Sequence, residues 1–295
     1  MVLKFRLQVF ITMKHGNPQF ASRKAPMIAI AWVCLGVLLS TSHFVPSALG
    51  ADSPSLQTLL DHAGKAVEQF SGEFAAVTCT ELVTQAKLGN RAKIIYERQS
   101  VFDFLIFIDL HGDALSVEES RLAQKPPGKE KKKKQMDLPL LTTNGFSTLA
   151  LIFHPYYQGS FEFDRIENVA VNGKESAQVR FRHIPGTRST AALFLKGKDY
   201  PLDLQGTAWI DLESGKIIKI AAGLMSPLQD LNLRTLNSTV SYGPVRFPSS
   251  SEVYWLPLRA SVDVETRYQH WRNVHQFSDY KVFSVKTEAT IPQKK

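Results

Sequence analysis

The sequence predicts an α+β fold built on one long, curled antiparallel sheet, and three observations carry that prediction. Beyond Gly72 nearly every apolar run alternates with polar residues at a period of two. Turn dipeptides such as Asn172-Gly173 and Ser214-Gly215 join successive runs with no helix-length crossover between them, so neighbouring strands run antiparallel. Only two segments have helical spacing, too few to cover so long a sheet unless it bends around them. The 295 residues, 44% hydrophobic and 10% aromatic, supply an ample core, and two cysteines exclude a disulfide scaffold.

Residues 1–50 carry Lys4, Arg6, Lys14, Arg23 and Lys24 with no acid, then an apolar run from Met27 to Leu39 and small residues in Ala48-Leu49-Gly50. This is the pattern of a secretory signal peptide cleaved before Ala51, which places the mature protein in the periplasm or outside the cell. Met13 offers a second candidate start. The run is shorter than the span of about 20 residues that a membrane helix needs, and it becomes an anchor only if left uncleaved and extended through Phe44 to Leu49. Cys34 lies inside the run after Ala31-Trp32-Val33, where no lipidation signal would place it. Of the net charge of +8, the leader holds +5; six lysines against Glu130 between 125 and 134 hold another +5, so the rest of the chain is close to neutral at −2.

In the mature chain Ser53-Pro54 opens a helix in which Leu56, Leu59, Leu60, Ala63, Val67 and Phe70 form one stripe that Gly72 ends. Residues 74–85 and 93–110 follow as strands. In the second, Phe102, Phe104, Ile106, Ile108 and Leu110 share one apolar face while Asp103 and Asp109 lie on the other. After a turn at 111–113 and a strand over 114–122, residues 124–137 have no periodicity and self-repelling lysines, the composition of a mobile loop. Asn144 caps a short helix with Phe146, Leu149 and Phe153 on one face, ending at Pro155. Strands then follow over 161–171, 177–184 (Val179 and Phe181 inward), 205–211, 216–222, 228–242, 252–267 and 277–287. With short polar connections throughout, 51–295 reads as one domain.

This order of elements, with the hairpin Gly206-Thr207-Ala208-Trp209-Ile210-Asp211 and Ser214-Gly215-Lys216-Ile217, resembles the LolA/LolB-like superfamily of periplasmic lipoprotein carriers and receptors. The resemblance implies an incomplete barrel whose concave apolar face is closed by helices, leaving a cavity for acyl chains. The lysine run and the long C-terminal strands depart from that family. Periodicity supplies the lining candidates: Phe102, Phe104, Ile106, Ile108, Val179, Phe181 and Trp209 on the sheet, with Phe146, Leu149 and Phe153 on the short helix. The same side chains would equally form a dry core against the helices.

Motifs for enzymatic chemistry are missing: there is no GxSxG, HExxH, CxxC or GxGxxG, and Gly173-Lys174 is followed by Glu175 where a phosphate loop needs Ser or Thr. Glu162 with Asp164 and Asp263 with Glu265 each share a strand face, the outer one, where solvated acids belong. His270 and His275 stand five apart on a strand and so face opposite ways, which is no metal site, and His154 and His183 read as structural. Cys79 falls at an inward position. Asn237-Ser238-Thr239 matches a glycosylation sequon in a chain whose leader is bacterial in character.

The reading is therefore a non-enzymatic, cofactor-free, monomeric periplasmic protein that binds a lipid or an acylated protein. Lys131, Lys132, Lys133 and Lys134 are candidates for contact with an anionic membrane surface, and nucleic acid is excluded because no aromatic residue interleaves the run for base stacking. The alternative is a cell-envelope interaction or scaffold module with a dry core, in which Trp255 and Trp271 supply exposed contact surface.

Overall fold

A computed structural model describes residues 4–6, 54–111, 114–124, 142–143, 145–195, 198–248 and 251–282. The first strand, β1 (Lys4–Arg6), belongs to a small sheet considered below. Helix α1 spans Leu56–Ala75. Its N-cap is Ser55, whose Oγ accepts from Thr58 N at 3.2 Å, not Ser53 as the sequence suggested. It runs past Gly72 because Phe70 and Phe74 continue the buried stripe for another turn while Gly72 faces outward with nothing near it.

Strands β2 (Val77–Leu88), β3 (Ile94–His111) and β4 (Ala114–Ala123) follow, then β5 (Thr142–Thr143). The expected helix after residue 144 is instead a 3₁₀ segment, Phe146–Phe153, entered through the left-handed Gly145 (φ 79°); Asn144 lies outside the described residues. Pro155 does not end a helix. It opens the short α2 (Pro155–Gln158), capped by His154, whose Nδ1 accepts from Tyr156 N at 3.1 Å. Next come β6 (Phe161–Val171) and β7 (Lys174–His183), joined by Asn172-Gly173 with φ of 51° and 78°, the tight hairpin turn that dipeptide favours. Two short strands that periodicity did not show, β8 (Ala192–Leu195) and β9 (Lys198–Pro201), precede β10 (Leu204–Asp211), β11 (Ile217–Leu224), β12 (Leu233–Arg246), β13 (Val253–Thr266) and β14 (His270–Val282). The last begins seven residues earlier than expected.

Ten strands form one sheet in the order β4-β3-β2-β14-β13-β12-β11-β10-β7-β6, with every neighbour antiparallel and the two ends unpaired, so the sheet is open and not a closed barrel. The N-terminal strands are joined to the C-terminal meander by β14 against β2. The second sheet, β5-β1-β8-β9, pairs Lys4–Arg6 antiparallel with β8 and parallel with β5.

Curvature follows from what touches what. Ten strands at about 4.8 Å would make a flat sheet some 43 Å wide, whereas a 20-residue helix is about 30 Å long. Helix α1 nevertheless packs against β3, β13 and β11, and the 3₁₀ segment against β11, β12 and β13, so the inner face wraps around both. The connection from β4 to β6, the two ends of the sheet, lays the 3₁₀ segment across this concave face. Among the described residues, no helix is long and apolar enough to cross a membrane.

Candidate functional site

The concave face brings most of the predicted lining residues together. Phe104, Ile106, Leu149, Phe153, Val179 and Phe181 are at most 1% exposed and Phe146 is 7% exposed, all in one cluster with Leu59, Phe70 and Phe74 of α1. Phe153 meets Phe181 edge-on at 6.2 Å and Phe163 at 5.1 Å, and Phe74 lies 6.1 Å from Phe104. Phe102 and Ile108 share the inward phase but are only half-buried. Trp209 is a correction. Register pairs it with Gln178 and Lys219, while Ala208 and Ile210 on either side are the buried residues, so Trp209 stands on the convex face with the Lys219 ammonium 4.8 Å above its ring. Lys131 to Lys134 lie outside the described residues.

All eight residues of the 3₁₀ segment are buried, and its hold on the sheet is polar at a few points. Glu119 accepts from Gly145 N at 2.6 Å and from Ser147 Oγ at 3.2 Å. Tyr242 Oη donates to Ser147 O at 3.1 Å and accepts from Ala150 N at 3.2 Å, and Gln158 Nε2 donates to Phe153 O at 2.8 Å and to Leu60 O at 2.9 Å.

Glu119 belongs to a buried charged chain. Arg121 binds it through Nη1 at 2.8 Å and binds Glu81 through Nε and Nη2, at 2.5 and 2.9 Å, while His275 Nδ1 stands 2.7 Å from Glu81 Oε1. Burial alone would raise the Glu81 carboxyl, but the His275 hydrogen bond and the Arg121 guanidinium outweigh it and hold the group below the usual carboxylate range. The Arg121 guanidinium is likewise held charged by Glu119 and Glu81 against its own burial, and it lies 4.8 Å over the Phe104 ring. Of these four residues only His275 was singled out from the sequence. The signal for the others is a charge on an apolar phase: Val77, Cys79, Glu81, Val83 on β2 and Leu115, Val117, Glu119, Arg121 on β4.

Burial, then Glu81, pushes the Cys79 thiol up to about 12, far from a reactive thiolate. Asp203, His183 and Thr187 align like a carboxylate, imidazole and hydroxyl, with Nδ1 2.8 Å from Asp203 Oδ1 and Nε2 3.3 Å from Thr187 Oγ1. Nε2 also faces Arg188 O at 3.1 Å. Thr187 gives its own proton to Ile184 O at 2.6 Å, so its hydroxyl hydrogen is directed away from the imidazole. Among the described residues no three His, Cys, Asp or Glu side chains are placed to hold a metal ion. His270 points outward to Asp263 at 2.6 Å, away from His275.

The tryptophans expected at an exposed contact surface are structural. Trp271 is 3% exposed, and half-buried Trp255 donates from Nε1 to Ile217 O at 2.8 Å and from its backbone N to Glu73 Oε2 at 2.8 Å, tying β13 to β11 and α1.

No protein-family profile matches the sequence, and no curated protein matches it. Among solved structures the chain is similar to a domain from Vibrio parahaemolyticus named for outer membrane lipoprotein sorting, at 11% identity and a TM-score of 0.38, over 79% of this chain and 95% of that one. It is also similar to a DUF1329 family protein from Desulfovibrio piger, at 12% identity and a TM-score of 0.36, again over 79% and 95%.

Proposed function

We propose that this protein is a non-enzymatic carrier or receptor of the cell envelope that holds an acyl chain, from a lipid or a lipoprotein, on the concave face of its open sheet. The observation that carries this reading is the way that face is closed. Helix α1 covers part of it, and the rest is closed by Phe146–Phe153, every residue buried, a 3₁₀ stretch kinked at Thr148 whose hydrogen bonding is poorer than that of an α-helix. Displacing such a segment sacrifices little helix and uncovers Phe181, which Phe153 meets edge-on. Each methylene of an acyl chain buried in its place then returns about 0.8 kcal/mol. Half-buried Phe102 and Ile108 are the margin at which a chain enters. The leader delivers the protein to the periplasm, with cleavage before Ala51, and the mature domain works as a monomer.

Native mass spectrometry of the protein gently purified from the envelope fraction, followed by extraction and lipid analysis, tests this. A stoichiometric adduct of lipid mass is expected. A clean apo mass from repeated preparations, with no rise in melting temperature on adding long-chain lipids, contradicts it.

A second reading has its own observation: seven of the ten lining candidates are already buried in one cluster with the apolar stripe of α1. On that reading the protein is an envelope interaction module, and the apo result is the one it expects.

A further inference from the structure

At one rim of the ten-stranded sheet two turns carry apolar and basic side chains into solvent together. Leu88, the last residue of β2, pairs with His270, the first of β14, and with Ile94, the first of β3, so the β2–β3 and β13–β14 turns project side by side. Every residue from Asn90 to Ile95 is exposed, Ile94 at 53% and Ile95 at 60%, and Tyr268 in the neighbouring turn is 75% exposed. Tyr96 folds back onto the core, whereas these three lie beyond it. Arg91 and Ala92 both hold φ at 56°, where Asn or Gly would sit with less strain, so the chain keeps an arginine at the tip against its backbone preference. Residues 87–98 hold Lys87, Arg91, Lys93 and Arg98 against Glu97, and the Arg267 guanidinium lies 5.6 Å from the Tyr268 ring. The acids of β13 nearest this rim are already met, Asp263 by Arg272 at 2.8 Å and Glu265 by Arg234 at 3.4 Å.

We propose that this rim docks on an anionic lipid bilayer, with Ile94, Ile95 and Tyr268 entering the interface and Arg91, Lys93 and Arg267 meeting the headgroups. Stable attachment of this kind needs apolar area and clustered cations together, and here both stand on the same two turns. Tyrosine suits the boundary because its ring is apolar and its hydroxyl stays wet. The excess of cations selects an anionic surface. Size argues against a protein partner: a stable protein interface takes about 20–30 residues a side around a buried core, whereas a bilayer takes up single projecting side chains, each with its own transfer free energy. The inference stands apart from whether the concave face holds cargo.

Vesicle flotation of the full chain tests it, with phosphatidylcholine alone or mixed with phosphatidylglycerol, at low and high salt. Comparing variants of one chain makes any contribution from residues outside the rim common to all. The triple variant Ile94→Ser, Ile95→Ser, Tyr268→Ser should lower partitioning onto mixed vesicles at least about tenfold. The pair Arg91→Gln, Lys93→Gln should lower it at least about tenfold at low salt and much less at high salt. All five positions are exposed, so an unchanged melting temperature confirms folding. A third variant, Tyr268→Trp, reads the rim itself: the emission it adds to the parent spectrum should shift to the blue on mixed vesicles and be quenched by brominated lipid. Unchanged flotation of the triple variant overturns the proposal, as does flotation with no blue shift at position 268, which places the bound surface elsewhere. Equal partitioning onto neutral and anionic vesicles overturns it too, and so does a change in oligomeric mass of the triple variant with flotation unaltered, which assigns the rim to a second copy. The native-mass lipid adduct of the triple variant reports the cargo site separately.

Discussion

At Gly206 two strands leave no room for a side chain: a Cβ would sit 1.9 Å from Ala221 O and 2.7 Å from Phe181 Cζ. Gly206→Ala is therefore expected to cost more than about 2 kcal/mol, whereas Gly72→Ala, on the open side of α1, should stabilise by about 0.5–1 kcal/mol. Urea unfolding of the two variants decides, and equal effects would refute the close approach. Glu81 is the other residue whose environment sets a measurable quantity. Replacing it by Gln leaves Arg121 with one fewer buried partner and should cost about 3–5 kcal/mol at neutral pH. Its folded carboxyl is depressed, so that contribution is complete above the unfolded value near 4.3 and is lost as pH falls through the folded value. The stability gap between wild type and Glu81→Gln should narrow in acid; a gap constant with pH would contradict the assignment. A buried Glu was legible as a charge on an apolar phase, but its partners were not, because Arg121 and His275 stand 40 and 194 residues away in sequence.

Elements with strong periodicity were legible and those defined by their surroundings were not. Alternation located the strands of the meander and both faces of β3. The segment 146–153 was read as a helix because Phe146, Leu149 and Phe153 share helical spacing, yet the sheet buries Ser147, Thr148, Ala150, Leu151 and Ile152 as well, and a tighter coil held by Glu119 and Tyr242 accommodates that. Trp209 was placed inward with the other lining candidates on periodicity. In β10 Trp209 shares its phase with Gln205, Thr207 and Asp211, while Leu204, Ala208 and Ile210 take the inner one, and the pairing of Ala208 with Val179 and Ile220 agrees. Tyr242→Phe removes the bridge to Ser147 and Ala150 and should cost about 1–2 kcal/mol while leaving the sheet intact. Amide hydrogen exchange should show lost protection confined to 146–153, and uniform loss across the sheet would deny the segment its independence.

Across the whole molecule, the open sheet was predictable from the shortage of helices, while its closure of N- and C-terminal strands through β2 and β14 depended on pairings that periodicity cannot rank. The two faces it creates differ in what they tolerate. Val262→Asp puts a charge on the inner face and should cost at least about 3 kcal/mol, whereas its neighbour Asp263→Ala, which releases His270 and Arg272 on the outer face, should cost no more than about 1 kcal/mol. Thermal melts of the pair check the inward and outward assignment along β13. Photolabelling reads the same division directly. With a fatty acid carrying a diazirine near its tail, cross-linking followed by peptide mapping should place the label on Phe102–Ile108 and Phe146–Phe153, lining the concave face. Label confined to the convex residues around Phe107 and Leu122, or absent under saturating probe, would contradict the acyl-binding account.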